Sequence, residues 1–340
     1  MMREALLYEK LDGLWVRCHL CAHECLIPNG GRGRCLVRVN RGGTLGSLVY
    51  GQLIAEAVDP IEKKPLFHFL PGSLAYSVAA LGCNFRCAHC QNHTIAQPLQ
   101  VAEHEYRGRR ASPESVVAAA IRSGCKTIAY TYTEPTVYFE FALDVARCAR
   151  ERGLRNVFVS NGFMMPAALE LIAPVLDGIN IDVKGIRDRF YREVAGGALE
   201  PVLRALRACV SHGIWVEVTT LVIPGMNDGE EELRDTAQVV ADISPSIPWH
   251  VSRFFPAHRL RHLPPTPVAT LRRAQAHGHA AGLHFVYLGN VPGEGEDTLC
   301  PGCGEVVIRR SGYRVVDNRL IAGRCPTCQR ELEGVWVKAP

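Results

Sequence analysis

The sequence lacks the signals of a membrane-spanning or exported chain. Its 340 residues contain no run of about 18 uncharged apolar residues, so no transmembrane helix is expected. The opening segment, MMREALLYEKLDG, is charged and interrupted, which is unlike a signal peptide. An excess of one charge is also missing. The 38 Lys and Arg against 34 Asp and Glu give a net charge of +4, too weak by itself to indicate nucleic-acid binding.

The overall composition is that of an ordinary globular protein. Hydrophobic residues make up 47% of the chain and charged residues 21%, which argues against wholesale disorder. At roughly 150 residues per domain, the length indicates one large domain with appendages and ample material for a core. No internal sequence repeat and no low-complexity segment is present.

Cysteine is the residue that stands out, with 14 copies of which most fall into three tight groups. The groups are Cys18, Cys21, Cys25 and Cys35; Cys83, Cys87 and Cys90; and Cys300, Cys303, Cys325 and Cys328. Thiolates two or three residues apart on a turn can converge on one ion. Because no export signal is present, metal or iron–sulfur sites in a reducing cytoplasm are favoured over a disulfide framework.

Three further cysteines stand alone and carry no functional prediction. They are Cys125, Cys148 and Cys209. The last two lie in stretches with a helical pattern, and we expect them to be small buried hydrophobic residues.

From residue 73 onward, short apolar runs alternate with longer amphipathic stretches. Strands are predicted at 73–81, 126–132, 155–161, 178–184, 215–223 and 249–255, with a further candidate at 285–289. Helices are predicted between them: one capped by Ser112 ahead of Pro113, one from Thr136 to Arg152 that stops at Gly153, and one over 228–243. This alternation predicts an α/β fold with a parallel sheet buried on both sides.

Such a sheet is either open and doubly wound or a partial (βα)6 TIM-like barrel. Polar residues at or just beyond the predicted strand ends favour the barrel, because barrel enzymes assemble their sites there. These residues are Glu134, Asn161, Lys184, Thr219 and His250. The predicted organisation is a Cys-rich N-terminal region at 1–72, the partial barrel at 73–297 and a zinc-ribbon-like tail at 298–340.

The tail cysteines follow the pattern C-x2-C-x21-C-x2-C, which is typical of a closed tetrahedral zinc ribbon. Disulfide pairing and a second cluster are the alternatives. A predicted hairpin lies between the two C-x2-C pairs, which we call knuckles. It carries Arg309, Arg310, Arg314 and Tyr313. These side chains allow nucleic-acid contact, although such a set is more often a solvated face.

The N-terminal pattern C-x2-C-x3-C-x9-C leaves two interpretations open. Four thiolates bind either zinc or an auxiliary [4Fe–4S] cluster, and the spacing alone does not decide between them. His19 and His23 lie inside the group and add ligands for zinc, which is slightly favoured.

The central motif, LGCNFRCAHCQN, spaces its cysteines C-x3-C-x2-C directly after the first predicted strand. A cubane [4Fe–4S] cluster normally takes four protein thiolates, so three leave one iron open for another ligand. Zinc is the alternative, with His89 or His93 as its fourth ligand. The motif resembles the radical S-adenosylmethionine (radical SAM) superfamily.

That resemblance implies a specific chemistry. The open iron is chelated by the amine and carboxylate of S-adenosylmethionine. An electron from the cluster then cleaves the sulfonium, giving methionine and a 5′-deoxyadenosyl radical that abstracts hydrogen from a substrate. The residue before the third cysteine is commonly an aromatic near the adenine. Here it is His89, whose imidazole can also stack.

Downstream residues extend the resemblance in chain order. TYTEP at 131–135 resembles the segment that holds the cofactor's amine, which gives Glu134 that role, with a helix-start acid as the alternative. Asn161, Asp182 and Lys184 match residues that contact the ribose hydroxyls and the carboxylate of the cofactor. His250 matches a histidine that approaches the ribose or substrate, and a buried core histidine is its alternative.

A narrower resemblance is to the pyruvate formate-lyase-activating-enzyme-like group, and within it to the AmmeMemoRadiSam system radical SAM enzymes. It rests on DPIEKKPLFHFLPGS at 59–73, SRFFP and YLGNVPG, together with the outer cysteine motifs. It implies a flavodoxin- or ferredoxin-type electron donor and Memo-like and AMMECR-like proteins as partners. Activation of a glycyl-radical enzyme is the enzymatic alternative, by analogy. A zinc-ribbon nucleic-acid-binding protein is the alternative from another class.

The substrate itself is not indicated by the sequence. Five side chains are candidates for lining the mouth of the predicted barrel, each with a structural role as the alternative: Tyr130, Tyr132, Glu217, Arg253 and His258. Arg253 at a predicted strand end would suit a carboxylate or phosphate.

Overall fold

The computed structural model describes residues 2–97 and 108–336. The strands are β1 (Arg3–Glu4), β2 (Tyr8–Lys10), β3 (Val16–Cys18), β4 (Leu26–Ile27), β5 (Arg38–Arg41), β6 (Thr44–Ser47), β7 (Gln52–Leu53), β8 (Ala55–Pro60), β9 (Leu74–Ala79), β10 (Arg109–Arg110), β11 (Thr127–Tyr130), β12 (Arg155–Ser160), β13 (Gly178–Asp182), β14 (Trp215–Val222), β15 (Trp249–Arg253), β16 (Val286–Gly289), β17 (Thr298–Leu299), β18 (Val306–Ser311) and β19 (Arg314–Asn318). The helices are α1 (His93–Ala96), α2 (Pro113–Arg122), α3 (Phe139–Glu151), α4 (Pro166–Ile172), α5 (Asp188–Phe190), α6 (Leu199–Ser211), α7 (Glu230–Ile243) and α8 (Val268–Ala280).

An 8-stranded sheet forms the centre of the fold, in the order β16-β15-β14-β13-β12-β11-β9-β8. Neighbouring strands run parallel from β9 to β16, and only β8 is antiparallel to its neighbour β9. All the predicted strands, including the further candidate at 285–289, are confirmed with ends shifted by a few residues. The α/β class with a central parallel sheet is therefore confirmed.

The predicted helices are also present, for the local reasons that the sequence indicates. Ser112 caps α2, because its hydroxyl accepts a hydrogen bond from the Ser115 amide at 3.2 Å. Gly153 follows the C-terminal end of α3 and has a φ of +76°, a left-handed conformation that glycine adopts readily. Within residues 2–97 and 108–336, no helix is long and apolar enough to cross a membrane.

One end of the sheet's inner face is covered by the segment 61–70. Phe69 packs there with Ala75, Ala129 and Val157, and its ring lies against Gly178, the first residue of β13. The backbone of Phe69 also pairs with Val335 from the tail. Because the amino ends are covered, the carboxyl ends of the strands are left as the place for a site.

The N-terminal region is more regular than its loop-rich composition predicts. It contains two 3-stranded sheets, β1-β6-β5 and β2-β3-β4. A buried ion pair fixes this region to α3, since Arg38 Nη2 donates to both carboxylate oxygens of Glu140, at 2.7 and 2.9 Å. The edge strand β8 was also not predicted, because its sequence AEAVDP has little apolar character.

The tail forms the predicted hairpin, with β18 antiparallel to β19. The prediction of a solvated face is wrong for Arg310, which is buried, whereas Arg309 is exposed. The two residues point to opposite faces of β18, because side chains alternate along a strand. Arg310 donates to the carbonyl oxygen of Phe67 at 2.8 Å and thereby docks the tail on the covered end of the sheet.

Candidate active site

The three central cysteines lie in the loop that follows β9, at the carboxyl end of the sheet. Main-chain hydrogen bonds hold this loop: Arg86 N donates to Ala195 O and Ala88 N to Val194 O, both at 2.8 Å. The guanidinium of Arg86 folds back on its own loop and donates to the carbonyl oxygens of Cys83 and Phe85 at 2.8 and 2.9 Å. The loop is thus a fixed scaffold for its thiols.

The charge environment of these thiols suits a metal centre. Burial raises the pKa of Cys87 to about 11, although the Lys184 ammonium opposes this shift. Burial also raises the pKa of Cys83 well above its ordinary value, and the Glu134 carboxylate adds to the rise. Such buried sulfurs become thiolates only when a bound cation compensates their charge, so they fit a metal centre better than a free nucleophile.

The distance between ligand sulfurs distinguishes a zinc site from a [4Fe–4S] cluster site. Four thiolates around one zinc ion, at Zn–S of about 2.3 Å, lie about 3.8 Å apart, whereas those on a cubane cluster lie roughly 6–7 Å apart. Among the described residues, only the tail quartet has its ligand atoms all within 4.8 Å of one another. The sulfurs of Cys83, Cys87 and Cys90 do not all approach one another that closely, which fits a cluster better than a single zinc ion.

Glu134 lies buried between the ends of β11 and β12. Its carboxylate accepts hydrogen bonds from Thr136 Oγ1 at 2.6 Å, Ser160 Oγ at 2.9 Å and the Asn161 amide at 2.9 Å. The side chain of Asn161 in turn donates to Asn84 Oδ1 at 2.7 Å, next to Cys83. Both oxygens of Glu134 are thus engaged within the chain, and the carboxylate fixes the strand ends around the cysteine loop.

Asp182 and Lys184 form an ion pair at the end of β13, with Lys184 Nζ donating to Asp182 Oδ2 at 2.8 Å. The Lys184 side chain is 12% exposed and that of Asp182 is 36% exposed, so the pair faces the open end of the sheet. The positive charge of Lys184 acts to lower the pKa of the Cys87 and Cys90 thiols, against the effect of burial. The structure therefore brings both predicted cofactor residues beside the cysteine loop.

Two buried polar atoms near this pair have no hydrogen-bond partner in the part of the chain that the structure describes. They are Nδ1 of His89 and Oγ1 of Thr219. Burial and the charge of Lys184 lower the pKa of His89 to about 3, so its ring is neutral and able to accept a hydrogen bond. Unpartnered buried groups are rare in folded proteins, and these two are available to a bound molecule.

The predicted position of His250 and Thr219 at strand ends is wrong, because His250 is the second residue of β15 and Thr219 lies inside β14. Neighbouring strands are staggered, and Asp182, Thr219 and His250 are register partners at one level of the sheet. His250 is buried, with its Nε2 at 2.7 Å from Glu217 Oε2. It belongs to a buried group of polar side chains on the inner face of the sheet, which we call the floor.

Glu217 lies fully buried at the centre of the floor and does not line the mouth of the predicted barrel. Its carboxylate accepts hydrogen bonds from the amides of Phe67 and His68, at 2.9 and 2.8 Å, and from Trp215 Nε1 at 3.0 Å. Burial alone would raise the pKa of Glu217, but the hydrogen bond and charge of His250 outweigh it and hold the pKa below its usual value.

Glu217→Gln is expected to lower the free energy of unfolding by about 3 kcal/mol, because an amide nitrogen would face buried donors. The carboxylate contributes stability that is present above a pH of about 4.3 and is lost as the pH falls through its lowered folded pKa. The variant should therefore lose stability at pH 7 and show a weaker acid dependence, as measured by urea unfolding between pH 3 and 7 in roughly unit steps. Equal stability of the two proteins at pH 7 would refute the role of this carboxylate.

The other mouth candidates fall in different places. Tyr130 is buried among the helix-facing core residues, so its prediction as a mouth residue is wrong. Tyr132 donates its hydroxyl hydrogen to Asp59, which also accepts from buried Lys64 at 2.7 Å. His258 stacks on a histidine of α1, and Arg253 Nε donates to a main-chain carbonyl at 2.8 Å.

Asn84 is the site residue that sequence reasoning missed. Its side chain accepts the Asn161 hydrogen bond, and its own carbonyl oxygen lies 2.8 Å from His23 Nε2 of the N-terminal region. The signal available in the sequence was its position directly after Cys83.

The tail cysteines form a second, tighter cluster. The sulfur of Cys300 lies 3.5 Å from that of Cys328, and the sulfur of Cys303 lies 3.7 Å from that of Cys325. These separations match four ligands around one tetrahedral ion. The quartet could hold zinc.

The comparisons with known proteins agree with this geometry. The radical SAM superfamily profile matches residues 78–237. An uncharacterized protein of Methanocaldococcus jannaschii is 45% identical over 98% of this chain and 99% of its own length. The pyruvate formate-lyase-activating enzyme of Clostridium pasteurianum is 21% identical over 48% of this chain and 67% of that enzyme. Streptococcus suis SuiB bound to S-adenosylmethionine shares the fold, with a TM-score of 0.51 at 12% identity over 68% of this chain and 53% of that chain.

Proposed function

The chain belongs to the radical SAM superfamily, and from this membership we propose that Cys83, Cys87 and Cys90 hold its catalytic [4Fe–4S] cluster. The group so bound supplies a 5′-deoxyadenosyl radical, made by reductive cleavage of S-adenosylmethionine, that takes hydrogen from a substrate. The observation that carries the proposal is the convergence of three thiols, one on a buried and two on partly buried residues, with the Asp182–Lys184 pair at the carboxyl end of a parallel sheet. The chain's own part is to orient the cofactor and exclude water.

Each residue has a role that its contacts support. Lys184 offers a cation to the cofactor's carboxylate, and Asp182 offers a half-exposed carboxylate to hydroxyl groups. The neutral ring of His89 provides a face and an unpartnered nitrogen beside the thiols. Glu134 and Asn161 support the site through the network that joins 131–135 to the cysteine loop, while His250 acts from the floor below.

We place this site in a partial (βα)6 TIM-like barrel, extended by the further parallel strand β16. The N-terminal region at 1–72 and a zinc-ribbon-like tail at 298–340 flank it. Cytoplasmic location, a flavodoxin- or ferredoxin-type electron donor and the AmmeMemoRadiSam assignment, with Memo-like and AMMECR-like partners, belong to the same proposal.

The test of the function is the cleavage of S-adenosylmethionine by the anaerobically reconstituted full-length chain. With dithionite as reductant, 5′-deoxyadenosine should form and be quantified by chromatography, at equal rates in the wild type and in a Cys209→Ala control, whose buried thiol lies in α6. A fully iron-loaded wild-type protein that yields none would refute the proposal. Deuterium transfer from candidate substrates into the product then identifies the substrate.

Activation of a glycyl-radical enzyme is the second candidate, supported by the similarity to the pyruvate formate-lyase-activating enzyme of Clostridium pasteurianum. A glycine hydrogen on a partner polypeptide would then be the substrate. Electron paramagnetic resonance of a co-expressed glycyl-radical enzyme should show a protein radical that requires this chain. The nucleic-acid-binding alternative is weakened because Arg310 is buried and engaged with Phe67.

The tail is expected to hold one zinc ion, whose removal should unfold the tail because the ion joins its two knuckles. Cys325→Ser, which removes a buried ligand, should lose that zinc and keep the iron, as measured by elemental analysis of anaerobically purified protein. Cys125→Ala is the matched control and should keep both metals. Full retention of zinc in Cys325→Ser would place the ion elsewhere.

A further inference from the structure

The four N-terminal cysteines line one small apolar cavity. It is walled by the thiols of Cys18, Cys21, Cys25 and Cys35, together with Leu20, Ile27 and Val137. All four cysteines are free of disulfide bonds. All four side chains face this one space, so their sulfurs are close enough to share a bound group. Four thiols around one cavity, two on buried residues and two on partly buried ones, form a site with no role in the proposed catalysis.

The spacing of this quartet differs from that of the tail quartet in the same molecule. The tail sulfurs approach to within 4.8 Å of one another, as zinc ligands do. Among the described residues, no three of the N-terminal sulfurs meet that distance, and neither do those of Cys83, Cys87 and Cys90. The N-terminal sulfurs are therefore spread more widely than those of the tail quartet, and thiolates on a cubane cluster, roughly 6–7 Å apart, are also spread more widely than zinc ligands.

A buried cation on the cavity wall supplies an independent observation. Arg38 is 2% exposed and lines the same cavity. Its Nη2 pairs with Glu140, but its Nε and Nη1 have no hydrogen-bond partner within the described residues. A [4Fe–4S] cluster with four thiolates is anionic and its sulfurs accept N–H hydrogen bonds, which would satisfy both nitrogens.

The cavity lies next to the loop that carries Cys83, Cys87 and Cys90. A Cβ at Gly82, the residue before Cys83, would come within 3.0 Å of the carbonyl oxygen of Cys35. Gly82 also has a φ of +102°, so this close approach needs glycine. Arg86 donates hydrogen bonds to the carbonyl oxygens of both Cys83 and Arg34, which ties the two cysteine groups together.

We propose that Cys18, Cys21, Cys25 and Cys35 hold a second [4Fe–4S] cluster, ligated entirely by the chain. Four thiolates occupy all four irons, so S-adenosylmethionine has no position there. The site is distinct from the catalytic one, and its assignment does not depend on the proposed function. A zinc ion in this position is the competing outcome.

The test counts iron, sulfide and zinc in anaerobically reconstituted full-length protein. The wild type should hold about eight irons, because each cubane contains four. A variant with Cys83, Cys87 and Cys90 all changed to alanine leaves the N-terminal region untouched and should keep about four irons with a [4Fe–4S] Mössbauer signature. Cys18→Ala/Cys35→Ala should also keep about four irons, and its reduced spectrum should still respond to S-adenosylmethionine.

The outcomes separate this inference from the proposed function. If the variant with Cys83, Cys87 and Cys90 changed to alanine holds no iron and two zinc ions per chain, the second cluster is overturned and the proposed catalysis is left intact. Conversely, a wild type that holds both clusters yet forms no 5′-deoxyadenosine would refute the function and leave the second cluster standing. Cys209→Ala, which removes a buried thiol outside both groups, is the control and should keep about eight irons.

Discussion

Changing any one of Cys83, Cys87 and Cys90 to alanine is expected to abolish the cleavage of S-adenosylmethionine, a loss of at least about 1000-fold. Each thiolate binds one iron of the cluster, and the loop that carries the three is fixed by main-chain bonds to Ala195 and Val194. The measurement is 5′-deoxyadenosine formation per catalytic cluster under dithionite.

The matched controls are Cys148→Ala and Cys209→Ala, which remove thiols from α3 and α6 and should retain the wild-type rate. The assignment of the cluster to these three thiols would fail if any of the alanine variants kept more than about a tenth of the wild-type rate. Circular dichroism that matches the wild type ensures that the loss reflects the site and not the fold.

Arg310→Met is expected to lower the free energy of unfolding by about 3–5 kcal/mol, because it breaks a buried ion pair. The guanidinium donates to Phe67 O and Thr298 Oγ1, both at 2.8 Å, and lies over the Phe67 ring at 4.3 Å. Its Nε is 3.9 Å from a carboxylate oxygen of Glu62, and both side chains are fully buried. Methionine fills the volume but leaves the Glu62 charge uncompensated.

Urea unfolding at pH 7 measures this effect. Arg309→Met, which changes the exposed neighbour on the same strand, should alter stability by less than about 0.5 kcal/mol. Adding Glu62→Gln to Arg310→Met should recover part of the loss, since it removes the buried charge. An Arg310→Met protein as stable as Arg309→Met would show that the tail does not dock through this side chain.

Local patterns in the sequence were sufficient for the parallel sheet and for the cysteine groups. The alternation of apolar runs with capped helices predicted β9 and β11 to β16, and the motif after the first strand predicted which cysteines lie beside Asp182 and Lys184. These features depend on residues close together in the chain. A strand, a cap and a C-x3-C-x2-C loop are each determined locally.

Features set by the relation between distant segments were not predictable. The stagger of parallel strands places His250 at the level of Asp182, although His250 is the second residue of its strand and Asp182 ends its own. The burial of Arg310 depends on the docking of the hairpin against Phe67, 243 residues away in the chain. The Glu217 floor likewise needs the amides of 67–68 folded under β14.

The most direct test of the account is the electron paramagnetic resonance spectrum of the reduced, reconstituted full-length protein, recorded with and without S-adenosylmethionine. If the site at Cys83, Cys87 and Cys90 leaves one iron open, the signal should change when S-adenosylmethionine is added. The same addition should leave the spectrum of the triple alanine variant unchanged. A wild-type cluster signal that is identical with and without S-adenosylmethionine would contradict the account.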